Sequence, residues 1–498
     1  MVKSIEDGRR AANDAEGRRS PSTGWVLAGL SLSTLLAALG TSVANVALPT
    51  LAQAFSASFH EVQWVVLAYL LAVTTLIVSV GRLGDIHGRR RLLLAGMALF
   101  TLASALCGLA PTFWLLVAAR AAQGLGAAIM MALGLALVGD AVPKARTGSA
   151  MGLLGAMSAV GTALGPSLGG LLISGFGWRA IFVLNLPLGF LALLLLHRHL
   201  PSDRLESEGG RDAFDVGGTL LLALTLAAYA LAVTVGRGQF GVLNMALLTA
   251  ALLGGGLFVR IETRAASPLL HPREFGDAVL SASLAMSVLV MTVMMTTLVV
   301  GPFHLSRALG LDAAFIGMAM SVGPLVAALA GLPAGRMVDR HGAQRMTVAG
   351  LGAAAAGSLV LAVMPVSLGV AGYIAPILVI TAGYSLFQAA NNTAVLSDVQ
   401  LGRRGLVAGM LNLSRNLGLF TGAAVMGAVF AVASGADDIT AAGPDAVAAG
   451  TRTTFAVATL LIVAALAIAA RGRLLRGLAR DGRVTPGGKA GTSDGFPV

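Results

Sequence analysis

The sequence predicts an all-α membrane protein with fourteen transmembrane helices, and three observations lead to this prediction. The chain of 498 residues is 56% hydrophobic and 11% charged, whereas a soluble protein carries about 25% charged residues. Its apolar residues form fourteen runs of roughly 17–25 residues, the length of a helix that crosses a bilayer. Its basic residues concentrate between alternate runs. This composition disfavours a soluble enzyme, a disordered chain and a nucleic-acid-binding domain.

Each run is predicted to be one helix, and short polar segments separate the runs. A polar stretch of about 24 residues precedes the first run, so a retained first helix is expected rather than a cleaved signal peptide. The predicted helices cover residues 25–48, 62–82, 92–110, 113–138, 148–174, 178–196, 216–235, 241–261, 279–303, 313–335, 346–366, 371–391, 405–432 and 452–471.

The distribution of basic residues predicts the orientation of the helices. If both termini are cytoplasmic, 28 of the 34 Lys and Arg residues lie on the cytoplasmic side and four lie in outer loops. The remaining two, Arg120 and Arg415, fall within helices. Because cytoplasmic loops carry an excess of Lys and Arg, both termini are expected to be cytoplasmic. The net charge of +11 therefore indicates topology, and the expected partner is the lipid bilayer, not nucleic acid.

An internal repeat divides the chain into two parallel halves. Six residues of the string 81–91 recur in 335–345 at an offset of 254, and four glycines of 148–165 recur in 405–422 at an offset of 257. Both copies enter from the same side of the membrane, so the halves are related by an axis along the membrane normal. The predicted organisation is a cytoplasmic tail (1–24), a six-helix half (25–196), a cytoplasmic linker (197–215), an inserted helix pair (216–261), a second six-helix half (279–471) and a disordered cytoplasmic tail (472–498).

Further strings accompany this repeat: Asn45-Val46-Ala47-Leu48-Pro49, Gln63-Trp64 with Tyr69, Arg120 with Gln123-Gly124-Leu125-Gly126, and the glycine-rich segment 161–170. With them the chain resembles the fourteen-span drug:proton antiporter branch of the major facilitator superfamily. The resemblance implies a monomeric secondary transporter that exports small organic molecules or drugs across the bacterial cytoplasmic membrane by alternating access and proton antiport. A uniporter or importer of a small anionic or neutral metabolite, without a carboxylate-based proton site, remains the alternative.

The repeated charged string contains the first group of candidate functional residues. A carboxylate at the cytoplasmic end of a helix can accept hydrogen bonds from amides at a helix N-terminus or pair with Arg. The resemblance implies that this string is a conformational latch that stabilises the outward-open state. A solvated turn that only follows the positive-inside rule is the alternative. The latch residues are Gly81, Asp85, Gly88, Arg89 and Arg90, with Gly335, Asp339 and Gly342 in the second copy.

The glycine-rich segment of the fifth helix is the second candidate. Glycines four residues apart allow helix backbones to approach closely, and a proline removes one backbone donor and bends the helix. Tight packing alone would explain the pattern, and the resemblance adds that it is an antiporter motif that favours export. Its residues are Gly161, Gly165, Pro166, Gly169 and Gly170.

Polar residues within the helices are the third candidate. A charge inside the membrane is costly unless it faces a cavity or a partner. The resemblance assigns Arg120 to a central cavity and to proton coupling, and Arg415, Asn45 and Gln123 are candidates for the same cavity. A packed structural role is the alternative for the two Arg, and interhelical hydrogen bonding is the alternative for the two amides.

Acidic residues are missing where this kind of transporter usually has one. The resemblance places an acid in the first helix at the position of Gly40, and none of the 23 Asp and Glu residues falls in the middle of a predicted helix. If proton coupling persists, it must use peripheral carboxylates such as Asp85 and Glu61, or the protonation of the substrate. A cavity with two Arg and no acid would favour anionic or neutral substrates over cations.

An enzyme is not predicted. The single Cys107 and the scattered His residues form neither a metal-binding spacing nor a nucleophile–base pair. The chain also lacks a phosphate-binding Gly-x-x-x-x-Gly-Lys-Ser/Thr loop. No catalytic residue, metal or cofactor is therefore expected, and the energy source is expected to be a proton gradient.

Overall fold

The structure is a computed structural model that describes residues 21–77, 79–141, 147–201, 216–235, 241–264, 277–396, 404–435 and 442–481. All regular elements in these ranges are helical. Fourteen of the helices are long and apolar enough to cross a membrane, which confirms the predicted fold class. The end of the bundle that the basic residues predict to face outward is called the outer end below.

The N-terminal part contains eight of these helices. They are α1 (Pro21–Phe55), α2 (Phe59–Leu76), α3 (Arg89–Leu109), α4 (Phe113–Ala141), α5 (Thr147–Phe176), α6 (Ala180–His199), α7 (Val216–Thr234) and α8 (Val242–Glu262). A short helix, Val80–His87, follows α2. The helices exceed the apolar runs at several ends because a helix can continue beyond the hydrocarbon core into polar sequence. For example, α1 ends at Phe55 rather than at residue 48.

The C-terminal part contains six helices. They are α9 (Ala278–Ala308), α10 (Ala313–His341), α11 (Ala343–Val363), α12 (Val366–Val395), α13 and α14 (Pro444–Asp481). α13 begins as Arg404–Thr421, passes through a π turn at Gly422–Met426, and ends as Gly427–Ala433. The predicted helices leave an outer loop at 433–451 between the last two of them. The segment between α13 and α14 is shorter than this, because α14 begins at Pro444. Residues 472–481 were predicted to belong to a disordered tail, but they continue α14 as a helix to Asp481, where the described residues end.

Local sequence signals fix several helix ends. Ser58 and Glu61 form a capping box at the start of α2, in which Ser58 N donates to Glu61 Oε2 at 2.8 Å and Glu61 N donates to Ser58 Oγ at 3.3 Å. Asp312 caps α10 by accepting a hydrogen bond from Phe315 N at 2.9 Å. Gly88 and Gly342 separate consecutive helices at φ of 91° and 84°, where a side chain would be strained.

The two halves pack in the same way. A Cβ added to Gly126 of α4 would lie 2.7 Å from the Gly96 carbonyl oxygen of α3, and a Cβ added to Gly383 of α12 would lie 2.6 Å from the Gly350 carbonyl oxygen of α11. The first offset of the sequence repeat relates Gly96 to Gly350, and the second offset relates Gly126 to Gly383. Backbone-to-backbone packing of the third and fourth helices therefore recurs in both halves.

The helix pair α7–α8 packs beside the junction of the halves. Thr219 of α7 lies within hydrogen-bonding distance of Ser79, just after α2, with 3.0 Å between the hydroxyl oxygens. Tyr229 of α7 contacts Phe420 of α13, and their ring centroids are 6.1 Å apart. Through α7, the pair thus contacts both halves.

Candidate functional site

An aromatic cluster closes the outer end between the halves. Phe59 begins α2, Phe303 lies near the end of α9, and Phe430 lies near the end of α13. The ring centroid of Phe59 is 4.8 Å from that of Phe303 and 5.5 Å from that of Phe430. All three side chains are buried. Edge-to-face aromatic contacts of this kind stabilise an interface beyond the burial of apolar area.

Gln63 reinforces this closure one turn further along α2. Its Nε2 donates to the carbonyl oxygen of Ala423 at 3.0 Å. Ala423 lies in the π turn of α13, where the altered backbone pairing makes a carbonyl available to a side chain. The Gln63 amide also packs on Gly427, and a Cβ at Gly427 would overlap it. Gln63 is thus held against the backbone of the opposite half.

A second contact between the halves joins α5 to α10. A Cβ at Gly170 would overlap the Ala313 carbonyl oxygen, and a Cβ at Gly317 would overlap the Pro166 carbonyl oxygen. These backbones therefore touch. The first offset of the repeat relates Gln63 to Gly317, and the second offset relates Pro166 to Ala423. The α5–α10 and α2–α13 contacts are hence counterparts in the repeat.

The predicted antiporter motif is divided between two contacts. A Cβ at Gly161 would lie 2.6 Å from the Leu35 carbonyl oxygen of α1, and a Cβ at Gly165 would overlap Ser42. Gly169 approaches Val43 of the same helix. Three glycines of the motif thus pack α5 against α1 within one half, while Pro166 and Gly170 contact α10 of the other half.

A cavity of about 260 Å³ lies below the outer closure at mid-depth of the bundle. Both halves contribute to it, through α1, α2, α4 and α5 on one side and α9, α10, α12 and α13 on the other. None of the lining side chains in the described part of the chain is charged. The cavity is lined by Ala38, Thr41, Ser42, Tyr69, Leu70, Val73, Met131, Ser158, Thr162, Met291, Met294, Met295, Thr297, Leu298, Ala319, Met320, Gly323, Pro324, Ala327, Tyr373, Ile377, Thr381, Tyr384, Asn416 and Leu419.

Arg120 lies behind the cavity wall rather than in it. Its side chain is fully buried, and its guanidinium carbon is 4.3 Å from the ring centroid of Tyr69, which lines the cavity. Arg120 Nε donates to the Val65 carbonyl at 2.9 Å, and Nη1 donates to the Gly40 carbonyl at 3.0 Å and to the Gln123 amide oxygen. The guanidinium therefore ties α4 to α1 and α2.

The position at which the resemblance places an acid is occupied by an aromatic ring. A Cβ added to Gly40 would lie 3.2 Å from the Phe100 ring of α3 and 3.6 Å from the Tyr69 hydroxyl oxygen. A carboxylate at this position would need that ring to move. Phe100 thus fills the space that a side chain at residue 40 would enter.

The other predicted cavity residues also lie outside the lining. Asn45 is buried and donates from Nδ2 to the Thr41 carbonyl at 3.0 Å. Gln123 is buried and donates from Nε2 to Ser104 Oγ at 2.7 Å. Arg415 donates to the amide oxygen of Asn392 at 2.6 Å. Interhelical bonding, the alternative for the two amides, describes Gln123, whereas Asn45 bonds within its own helix.

The predicted latch is described only in part. Arg90, near the start of α3, donates from Nη2 to the His197 carbonyl at the end of α6, at 2.6 Å. A cation is favourable at the C-terminus of a helix. Arg89 begins α3, and Gly81 lies in the short helix after α2. The side chain of Asp85 lies outside the described part. In the second copy, Gly335 lies within α10 and Asp339 is exposed.

Sequence reasoning missed the methionines of the cavity. Met291, Met294, Met295 and Leu298 follow the i, i+3, i+4, i+7 spacing that places residues on one helix face. That spacing could have identified them, but an entirely apolar helix shows no contrast between its faces. Glu61 is a peripheral carboxylate that the sequence singled out for proton coupling, and its side chain accepts the capping hydrogen bonds of α2. Within the described ranges, no group of three His, Cys, Asp or Glu side chains could hold a metal ion.

Two six-helix halves that enclose one uncharged cavity and meet at its outer end define a polytopic membrane transporter. The sequence profile of the Major Facilitator Superfamily matches residues 30–423 and 282–491. The chain belongs to this family, whose members are transporters and not enzymes.

The chain is also similar to individual transporters. It is 33% identical over 417 residues to the multidrug resistance protein Stp of Mycobacterium tuberculosis, with 82% of this chain and 75% of Stp covered. It is 30% identical over 413 residues to the riboflavin transporter RibZ of Clostridioides difficile, with 82% and 88% covered. A solved bacterial homologue of the human lysosomal transporter Spinster, described as inward-facing and unoccupied, superposes with a TM-score of 0.67 at 17% identity. That superposition covers 91% of this chain and 97% of the homologue.

Proposed function

We propose that the protein exports small organic molecules across the bacterial cytoplasmic membrane by alternating access, and that proton antiport drives the export. The observation that carries the proposal is the uncharged cavity between the halves, which the contacts at Phe59 and Gln63 close on the outer side. A substrate would then enter from the cytoplasm, and separation of these contacts would release it outside. The name of the relative Stp, a multidrug resistance protein, supports this direction.

The division of the glycine-rich motif supports the same mechanism. Pro166 and Gly170 touch α10 at the outer end, so α5 has to separate from α10 for the cavity to open outward. Glycine contacts can form and separate without rearranging side chains, which suits an interface that alternates between two states. One chain encloses the whole cavity, in keeping with a monomeric transporter.

Inverted membrane vesicles provide the test. Their lumen corresponds to the cell exterior, so an acidic lumen should drive accumulation of a transported dye, and a protonophore should abolish it. A cationic, a neutral and an anionic dye should each be tried, with vesicles lacking the protein as the control. Accumulation of any of them under the gradient supports the proposal. Uptake of none of them, or uptake that ignores the gradient, would contradict it.

The runner-up is import or uniport of a small neutral or anionic metabolite. The similarity to RibZ, a riboflavin transporter by name, favours this alternative, as does a cavity without a carboxylate among the described residues. Uptake of riboflavin by right-side-out vesicles without an imposed pH gradient would support it over export.

A further inference from the structure

The two sides of the cavity differ in chemistry. The N-terminal half contributes hydroxyl groups, among them those of Thr41, Ser42 and Thr162. The C-terminal half contributes four methionines: Met291, Met294, Met295 and Met320. Thioether side chains are polarizable, adapt to irregular shapes and contact aromatic rings favourably. The C-terminal half also contributes four hydroxyl groups, those of Thr297, Tyr373, Thr381 and Tyr384, and the N-terminal half contributes Met131. Hydroxyl groups therefore lie on both sides of the cavity, whereas four of its five methionines lie on one side.

Most of the hydroxyl groups present acceptors to the cavity rather than donors, and most of these acceptors belong to the N-terminal half. Each hydroxyl has one proton, and a proton donated to a backbone carbonyl leaves only the oxygen lone pairs for a ligand. Nine hydroxyl side chains line the cavity, and six of them lie within hydrogen-bonding distance of a backbone carbonyl: Thr41, Ser42, Tyr69, Thr162, Thr297 and Tyr373. The distances from Thr41 Oγ1 to the Ala37 oxygen and from Thr162 Oγ1 to the Ser158 oxygen are 3.1 Å and 2.9 Å.

The charges around the cavity disfavour both kinds of ion. A cation would find no carboxylate among the described lining residues, and it would meet the Tyr69 ring with the Arg120 guanidinium stacked on its far face. An anion would meet the oxygen lone pairs of the hydroxyl groups that donate their protons to backbone carbonyls. Neither intramembrane Arg lines the cavity to pair with it. Arg120 has one unpaired nitrogen, Nη2, but lies behind the Tyr69 ring, where Nε and Nη1 donate to the Val65 and Gly40 carbonyls. Arg415 donates to the amide oxygen of Asn392 outside the lining. In a low-dielectric site an unpaired ion is costly.

We propose that the cavity selects uncharged molecules that carry N–H or O–H donors on one edge and an aromatic or aliphatic body on the other. The donor edge binds the hydroxyl oxygens of the N-terminal half, and the body contacts the methionines of α9 and α10. This inference rests on the proposed function, because it concerns the substrate of the same cavity. It discards the anionic class, which was expected on the assumption that Arg120 and Arg415 face the cavity.

Four probes with one skeleton test the charge and the donor separately. Phenylnaphthylamine is neutral with one N–H donor, and its N-methyl derivative lacks that donor. Anilinonaphthalene sulfonate adds a negative charge, and the corresponding trimethylammonium compound adds a positive one. Binding to the purified full-length protein in detergent is measured by calorimetry. The variant Ala327→Trp places a large side chain in the cavity. The heat observed with this variant is subtracted, which removes the contribution of probe that partitions into the micelle.

Phenylnaphthylamine should bind most tightly. Its N-methyl derivative should bind about two- to twelvefold more weakly, the value of one hydrogen bond, and both ions at least about tenfold more weakly. One of the variants Thr41→Val and Thr162→Val should remove the oxygen that accepts the single N–H and weaken phenylnaphthylamine about two- to twelvefold, the value of one hydrogen bond. Both variants should leave the N-methyl derivative unchanged. Thr249→Val, on the exposed face of α8, is the matched control and should change neither. Thermal unfolding shows whether each variant is folded.

An ion that binds as tightly as phenylnaphthylamine would overturn the proposal. So would the absence of cavity-dependent binding by phenylnaphthylamine, or Thr variants that weaken both neutral probes equally. These outcomes are distinct from a failure of export. If vesicles accumulate a cationic or anionic dye under the gradient and one of these binding outcomes is also observed, the proposed function stands. Only the proposed substrate class is then refuted.

Discussion

Arg120 has a structural role that its position in the sequence does not reveal. An apolar helix with one Arg predicts a functional charge, but the spacing does not indicate which neighbours the side chain meets. The guanidinium donates to backbone carbonyls on α1 and α2 and stacks on Tyr69. These partners lie on two other helices, and the two carbonyls are 55 and 80 residues away in the chain. Only the packed structure could therefore place Arg120 behind the cavity wall.

Replacement of Arg120 by Lys tests this role. A single ammonium cannot donate to the Val65 and Gly40 carbonyls with the planar geometry of a guanidinium while stacking on Tyr69. Loss of one charged hydrogen bond should cost about 1.5–3 kcal/mol of stability, which is measurable as a lower midpoint of thermal unfolding. Arg179→Lys is the control, because Arg179 stacks on Trp178 at 4.4 Å but is exposed. Equal effects in both variants would argue against the structural role.

The latch assignment is tested at Asp85. Asp85→Asn keeps the size of the side chain and removes the negative charge. If this charge switches the halves between states, gradient-driven dye accumulation in inverted vesicles should fall at least tenfold, with unchanged amounts of protein in the membrane. Asp339→Asn, in the second copy of the string, is the matched variant and should have a smaller effect. Full transport by Asp85→Asn would refute the latch.

At the level of elements, the outer closure is formed by α2, α9 and α13 together with the α5–α10 contact. The sequence identified the glycine motif of α5 from its spacing, which reflects a local property of one helix. It did not identify the partner of that motif, because α10 belongs to the other half of the chain. The π turn of α13 was also unpredictable, since a π turn depends on how a helix packs and has no sequence signature of its own.

The hydrogen bond from Gln63 to Ala423 should favour the outwardly closed state. Gln63→Leu removes the donor, and Gly427→Ala adds a methyl group where the Gln63 amide packs. Loss of one hydrogen bond, worth about 0.5–1.5 kcal/mol, should shift the equilibrium towards the outward-open state about two- to twelvefold. Gly255→Ala of α8 is the control, because nothing lies within 4 Å of a Cβ there.

Spin labels at exposed Gln53 and Asp445, in a chain whose buried Cys107 is changed to Ser, would measure this shift. Double electron–electron resonance should show a longer distance for Gln63→Leu and Gly427→Ala than for the parent chain. An unchanged distance distribution in both variants would show that this contact does not control the outer end.

For the molecule as a whole, hydropathy was sufficient to predict fourteen helices, because the cost of burying polar backbone and charge in a bilayer acts on each segment separately. The repeat predicted two halves, since the matching strings recur in sequence. The cavity could not be predicted in the same way. Its wall combines one face from each of eight helices, and apolar residues facing lipid, cavity or core look alike in the sequence.

Because the two halves pack in the same way, equivalent substitutions should destabilise them to the same extent. Gly126→Ala and Gly383→Ala each place a methyl group against a backbone carbonyl of the neighbouring helix, and overpacking of this kind costs about 1–3 kcal/mol. Both variants should lower the midpoint of thermal unfolding to a similar extent. Gly352→Ala of α11 has open space around its Cβ and should be neutral. A large effect in only one half would indicate that the halves differ in stability.

The ring of Phe100 against Gly40 has a consequence for the evolution of this transporter. A glycine codon becomes an aspartate codon through a single base change, so an acid in α1 is genetically close. The space that its carboxylate would need is filled by a side chain of α3, with 3.2 Å between the ring and a Cβ at residue 40. An acid at residue 40 would therefore require the Phe100 ring to shift, or a second mutation that replaces Phe100 by a smaller residue. A carboxylate in the first helix is thus linked to the side chain at position 100 of the third helix, so we expect these two positions to change together in descendants of this chain.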